Sequence, residues 1–308
     1  MPSTPQPLLR NRWALIGIPD HEAVLNVGGR VGAARGPLSF RQAFMKMRGP
    51  DPVQETLVDL GDVAPLGGDV EKNHELATVK VTQAHDEYPL SVVVGGGHDH
   101  GFSHLRGLLG AAAKRAPTAR KPRLGCINLD AHFDVRKPNP KITSGSPFYL
   151  AIESGVLDPR GLIQFGIQRH CNATELWDYI AQKKIETIPF ETLRGGKAVA
   201  AFAKALKKLT SQCDAIAISL DLDCAAQAYA PGVSAPQAEG FTPSEIIEMM
   251  EIAGREKKVI SLGIFELNPE HDIDMRTARL GATSAYHFIA AALSTDQVKR
   301  PGGTLLRR

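Results

Sequence analysis

The chain has 308 residues, about twice the length of a typical domain, so length alone allows two domains or one large one. Apolar residues make up 43% and charged residues 22%, an ordinary globular composition that excludes disordered, collagenous and coiled-coil chains. Thirty-six Lys and Arg against 33 Asp and Glu leave +3 with His neutral, too slight a balance to call for nucleic acid or a membrane surface as partner.

Residues 1–11 lack an apolar export core, and no stretch reaches the roughly 18 apolar residues that span a bilayer, which points to a cytoplasmic chain. Short β-rich apolar runs then recur at 13–18, 55–60, 90–94, 123–129, 162–167, 185–189, 214–220 and 259–265. Between most of them lie segments of helical period, at 70–85, 102–114, 174–182, 197–209, 244–256 and 278–293. The alternation predicts an α/β fold, a central parallel sheet of about eight strands with helices on both faces. Thr242-Pro243-Ser244-Glu245 carries a cap residue, a proline and an acid in the order that starts a helix. Residues 28–37 and 225–240 are Gly/Pro-rich and too long for simple connections, which marks them as functional loops. The basic stretch 114–123 reads as a solvated link between a helix and a strand. Cys126, Cys171, Cys213 and Cys224 form no C-x-x-C pair and read as buried thiols.

Ligands of open α/β sheets bind beyond the carboxyl ends of the strands, and three of these ends carry polar clusters. Gly95-Gly96-Gly97-His98-Asp99-His100 follows the third run, Asp130-Ala131-His132-Phe133-Asp134 the fourth and Asp221-Leu222-Asp223 the seventh. Alternation in an extended chain sends Asp130, His132 and Asp134 to one face, and likewise Asp221 and Asp223. Alone, His98 reads as a turn residue, and Asp221 with Asp223 equally as a solvated strand end or a metal site. Four carboxylates meeting at a buried sheet edge would repel one another unless cations neutralise them. Two divalent metals would do so, and oxygen with some imidazole suits Mn²⁺, with Fe²⁺, Co²⁺ and Zn²⁺ also open.

These motifs resemble the three metal signatures of the ureohydrolase superfamily, which includes arginase, agmatinase and formimidoylglutamase. The loop at 28–37 is similar to the family's N-terminal glycine loop, and Glu266-Leu267-Asn268-Pro269 to its E-x-N-P strand end. The resemblance implies two Mn²⁺, one held by His98, Asp130, Asp134 and Asp221, the other by Asp130, His132, Asp221 and Asp223. It further implies attack by a metal-bridging hydroxide, a proton shuttle at Asp134 and a substrate amidine held by Glu266. His100, His104 and His271 receive no ligand role.

Departures from arginase point to the substrate. Arg136 stands where arginase has an Asn, Phe148 where it has a histidine, and Gln168-Arg169-His170 where it has Arg-Asp. A rim with Arg136 and Arg169 suits a small molecule with a carboxylate tail and no ammonium group, with Ser144 and Gly145 lining the pocket. N-formimidoyl-L-glutamate fits, as in formimidoylglutamase. Other guanidino or amidino acids, of the guanidinobutyrase, arginase or agmatinase type, are the alternative, and a non-catalytic metal-binding homologue the minor one; homo-oligomerisation stays open. Because residues 98 to 266 must meet at one edge, a single domain over 1–308 is expected.

Overall fold

In the computed structural model, which describes residues 12–115 and 120–295, the eight expected strands pair into one parallel sheet. They are β1 (Trp13–Gly17), β2 (Leu57–Asp62), β3 (Ser91–Val94), β4 (Leu124–Leu129), β5 (Leu162–Ile167), β6 (Glu186–Pro189), β7 (Ala215–Asp221) and β8 (Val259–Phe265). Among the described residues the helices are α1 (Glu22–Asn26), α2 (Gly36–Phe44), α3 (Val70–Glu87), α4 (His100–Arg115), α5 (Pro147–Glu153), α6 (Thr174–Lys183), α7 (Ala198–Gln212), α8 (Pro243–Arg255) and α9 (Arg276–Ser294). The expected basic link at 114–123 falls partly outside the described residues.

The strand order β2-β1-β3-β8-β7-β4-β5-β6 positions the site. After β3 the chain crosses to β4, winds outward to β6, and returns to lay β7 and β8 in the gap. The four central neighbours are therefore β3, β8 and β4, which precede His98, Glu266 and Asp130, and β7, which ends at Asp221. Since every pairing is parallel, their carboxyl ends share one edge.

Strands β1, β3, β4, β5 and β7 are buried at every position, while the edge strands β2 and β6 are partly exposed. Successive residues feed opposite cores, as a strand requires. Val92 belongs to the core that also holds Phe40, Phe202, Met249 and Phe288 from α2, α7, α8 and α9. Val93 belongs to the opposite core, with Val81, Leu108, Phe148 and Ile180 from α3, α4, α5 and α6. The start of α8 is the expected capping box, with Glu245 N–H donating to Thr242 Oγ1 at 3.3 Å and Thr242 N–H to Glu245 Oε2 at 2.9 Å.

Helices α1, α2 and α5 were not expected from the sequence. α1 is a turn and a half, while α2 and α5 open inside Gly/Pro-rich stretches with Pro37 and Pro147 in the first turn, where proline's missing N–H costs nothing. Cys126, Cys213 and Cys224 are buried as expected, but Cys171 is only half-buried, because it sits on the 3₁₀ turn Arg169–Cys171 at the surface. No helix among the described residues is long and apolar enough to cross a membrane.

A buried polar chain ties α3, β3, β8 and α4 together. His85 Nε2 meets Ser91 Oγ at 2.8 Å, Ser91 Oγ meets Ser261 Oγ at 2.7 Å, and Ser261 Oγ meets His104 Nε2 at 2.6 Å. Burial pushes both imidazoles down to about 3, so each is neutral in the fold. Their ordinary value is about 6.5, so the stability they contribute is complete above that pH and is lost as pH falls toward 3. From pH 7 to pH 5 each should cost about 2 kcal/mol. Urea unfolding at the two pH values should give a drop about 2 kcal/mol smaller in His104→Gln than in the parent; equal drops would mean that His104 titrates normally in the folded protein.

Candidate metal centre and substrate cavity

The loop Gly95–Gly97 leaves β3 so tightly that a Cβ on Gly96 would overlap the carbonyl of Asp20. This turn points His98 into the sheet edge, where its ring stacks on Phe265 at 5.0 Å and meets the edge of Phe148 at 5.7 Å. His98 Nε2 lies 2.8 Å from Ser219 Oγ. His98 Nδ1 faces Asp134 Oδ2 at 2.8 Å, Asp221 Oδ2 at 3.0 Å and Asp130 Oδ2 at 3.2 Å.

The carboxylates converge, though not by strand alternation. β4 ends at Leu129, and Asp130 curls the next residues by accepting the N–H of His132 on Oδ1 at 2.7 Å. Asp134 then adopts a left-handed backbone, φ 50°, which turns its side chain back toward His98. After β7 the same device recurs, with Asp221 Oδ1 accepting the N–H of Asp223 at 2.9 Å in a 3₁₀ turn. Extended geometry is thus corrected to two side-chain-capped turns, a preference built into Asp. His132 Nδ1 completes the group, 3.0 Å from Asp223 Oδ2 and 3.4 Å from Asp130 Oδ1.

Two donor groups result, His98 with Asp130, Asp134 and Asp221, and Asp130 with His132 and Asp223, each with its ligand atoms within 4.8 Å of one another. The first is the set expected from the sequence. The second group contains Asp130, His132 and Asp223 but not Asp221.

The electrostatics fit bound cations. Burial, then the charges of Asp223 and Asp130, push Asp221 well above the carboxylate range; burial and Asp130 raise Asp134. Burial with Asp130 and Asp134 lifts Asp223 to about 6 against the pull of His132. His98 Nδ1 and Asp223 Oδ1 are buried without a hydrogen-bond partner among the described residues, as atoms awaiting a metal would be. A third group, His74, Asp99 and His100, satisfies itself, through His74 Nε2 to Asp99 Oδ2 at 2.7 Å and His100 Nε2 to Asp20 Oδ2 at 3.0 Å. Carboxylate oxygen with some imidazole suits Mn²⁺, with Fe²⁺, Co²⁺ and Zn²⁺ also open.

Beside the cluster lies a cavity of about 140 Å³. His132, Asp134, Asp221, Asp223 and Glu266 line it, as do the expected Arg136, Ser144 and Gly145. Gly29 from the expected loop 28–37 and Ser234 and Ala235 from the expected loop 225–240 line it too, together with Val27, which was not singled out beforehand. Glu266 leaves β8 at φ 64°, a strained backbone for a residue of its kind. Its Oε1 accepts the N–H of His98 at 2.8 Å, and Ser234 Oγ donates closely to its Oε2. Burial raises Glu266 to about 7, Asp223 adding to the rise while Ser234 and the His98 N–H oppose it.

Arg136 sits exposed at the rim, its N–H bonded to Gly145 O at 2.7 Å. Arg169 does not line the cavity. The 3₁₀ turn after β5 swings it outward, 73% exposed, onto Glu191 at 3.4 Å and over the Trp177 ring at 5.2 Å. His100 and His104 are buried in hydrogen-bonded networks and His271 is exposed.

A parallel α/β/α sheet with such a donor cluster at its carboxyl edge, opening on a cavity with an acid in its wall, can hold metal beside a small molecule, and with the family and relatives below it defines a metal-dependent hydrolase of amidino compounds. The sequence model described as the Arginase family matches residues 11–291, and the chain belongs to that family. It is 33% identical over 263 residues to the formimidoylglutamase of Staphylococcus aureus strain MRSA252, covering 85% of this chain and 80% of that protein. Among solved structures it is similar to Trypanosoma cruzi formiminoglutamase with Mn²⁺, at TM-score 0.81 and 26% identity over 96% of both chains. Bacillus subtilis formimidoylglutamase shares the fold, at TM-score 0.79 and 24% identity over 91% of this chain and 86% of that one.

Proposed function

We propose that this chain, working as one domain over 1–308, hydrolyses N-formimidoyl-L-glutamate to L-glutamate and formamide with two manganese ions bound. One observation carries the reading: the cavity has the buried acid Glu266 in its wall and the guanidinium of Arg136 at its rim. A substrate with an amidine at one end and carboxylates at the other matches that polarity, and the formimidoylglutamases among the relatives support it.

His98, Asp130, Asp134 and Asp221 would hold one ion, and Asp130, His132 and Asp223 the other, with Asp221 completing the second set. Bound there, a divalent pair supplies positive charge that activates water near neutral pH. The remaining work falls to side chains. Glu266 receives the amidinium through charge-assisted hydrogen bonds and turns its carbon toward the cluster. Asp134, on the cavity wall, carries the proton released by the attacking water to the glutamate nitrogen, and the C–N bond then breaks. Phe148, buried against His98, keeps bulk water from that side of the ligand. With a metal on His98 Nδ1, Nε2 would carry the proton and donate to Ser219 Oγ, 2.8 Å away. Ser144 and Gly145 shape the wall through which the substrate tail leads to Arg136.

Arg136→Gln should raise KM for N-formimidoyl-L-glutamate about tenfold or more with kcat little changed, since it removes one hydrogen-bonded carboxylate contact. Formamidine, which has no carboxylate, should be hydrolysed equally by variant and parent; equal KM values for the glutamate substrate would remove Arg136 from the site. The reading itself is tested by formamide release from N-formimidoyl-L-glutamate measured beside urea release from arginine, agmatine and guanidinobutyrate. Formamide release should dominate, whereas urea from guanidinobutyrate without formamide would move the assignment to that acid.

A further inference from the structure

Two side chains, Arg30 and Asn268, tie three distant segments together beside the cavity. Arg30 lies in the glycine loop, next to Gly29 of the cavity wall. Its Nε donates to the carbonyl of Val233 at 3.1 Å, and its Nη2 donates to Pro231 O at 3.0 Å and more closely to Val233 O. The carbonyls of Arg30 and Val31 each accept from the Asn268 amide at 2.9 Å, and the Asn268 N–H donates to Gly232 O at 2.7 Å. A Cβ on Gly32 would overlap the Asn268 amide oxygen, so the backbone approaches there as only glycine allows.

This brace bears on Glu266 from two sides. Val233 immediately precedes Ser234, whose hydroxyl donates to Glu266 Oε2. Asn268 lies two residues beyond Glu266 and fixes the path of the chain after its strained backbone. A planar guanidinium spans two carbonyls in a fixed fork, which the single amine of lysine does not reproduce. Its partners in this brace are backbone carbonyls, so its geometry rather than a salt bridge is what it contributes.

We propose that Arg30 is a positioning residue for substrate binding: by holding residues 231–233 it keeps Ser234 against Glu266 and so sets where the amidinium of the substrate docks. This rests on the reading that Glu266 receives the amidinium. The test compares Arg30→Met, Arg30→Lys, Glu266→Gln and the Arg30→Met/Glu266→Gln double variant with the parent, by steady-state kinetics on N-formimidoyl-L-glutamate and by manganese content.

Arg30→Met should lower kcat/KM about tenfold, chiefly through KM, with metal content kept. Arg30→Lys should lie between the two, about threefold below the parent, and it carries the same test if Arg30→Met does not fold. In the Glu266→Gln background Arg30→Met should cause no further loss, because the group it positions is already gone. An unchanged kcat/KM in both Arg30 variants, or a tenfold loss that persists in the double variant, overturns the proposal. Glu266→Gln with kcat/KM intact overturns the underlying reading instead.

Discussion

Replacing Asp223 by asparagine is expected to leave a folded protein that holds one manganese per chain in place of two and turns over about a thousandfold more slowly, about 4 kcal/mol of lost transition-state stabilisation. Asp223 is the one carboxylate that meets His132 without serving His98, and its Oδ1 is buried without a partner. Its loss should therefore empty one donor set and spare the other. Stability should move in opposite directions with and without metal. In the metal-free protein burial and the neighbouring carboxylates make the charge of Asp223 unfavourable, so a neutral asparagine should leave Tm equal or higher. With saturating Mn²⁺ the parent should gain more in Tm than the variant, because it binds one more ion in the folded state. Elemental analysis that still finds two metals per chain in Asp223→Asn would show that the donor set is assigned wrongly.

The second large effect belongs to Glu266→Gln. Glutamine keeps the size of the side chain, can accept from the His98 N–H with its oxygen and donate to Ser234 with its amide, so the fold should stand. What it removes is the negative charge that, under the proposed function, would face a cationic amidine. Losing one partner of a buried, hydrogen-bonded charge pair costs about 2–5 kcal/mol, so kcat/KM should fall by about a thousandfold with both metals retained. A variant within threefold of the parent would mean that the amidine end docks elsewhere.

Both effects fall on residues that stood out in the sequence, and the reason is local. The metal-ligand candidates lie within five residues of a strand end, where the topology of a parallel sheet leaves little choice of position. Their convergence was foreseen but its cause was not: Asp130 and Asp221 act as turn formers as well as ligand candidates, and an alternating pattern cannot reveal that a carboxylate will cap the next-but-one N–H. Long strands with both faces buried were legible for the same reason as the ligands, through continuous apolar runs. The short helices α1, α2 and α5 were not, because fewer than three turns carry too little period to stand out beside glycine and proline.

The substrate side was harder to read, because it is assembled by chain segments far apart. Ser234 reaches Glu266 across 32 positions, and Arg30 reaches Val233 across 203. No spacing rule reports such contacts. Arg169 shows the opposite failure: its place after β5 suggested a rim cation, yet one 3₁₀ turn was enough to send it to Glu191 and Trp177. Among the described residues that line the cavity, Arg136 is the arginine left at the rim, and under the proposed function the selectivity for the substrate tail would rest on it.

Two-metal hydrolysis of N-formimidoyl-L-glutamate is tested most directly by stripping the protein with chelator and following formamide release from this substrate as Mn²⁺ is added back. Activity should be absent at the start, rise with added metal and level off at two ions per chain. Formamide release that levels off at one ion, or that never appears while urea is released from arginine, would contradict it.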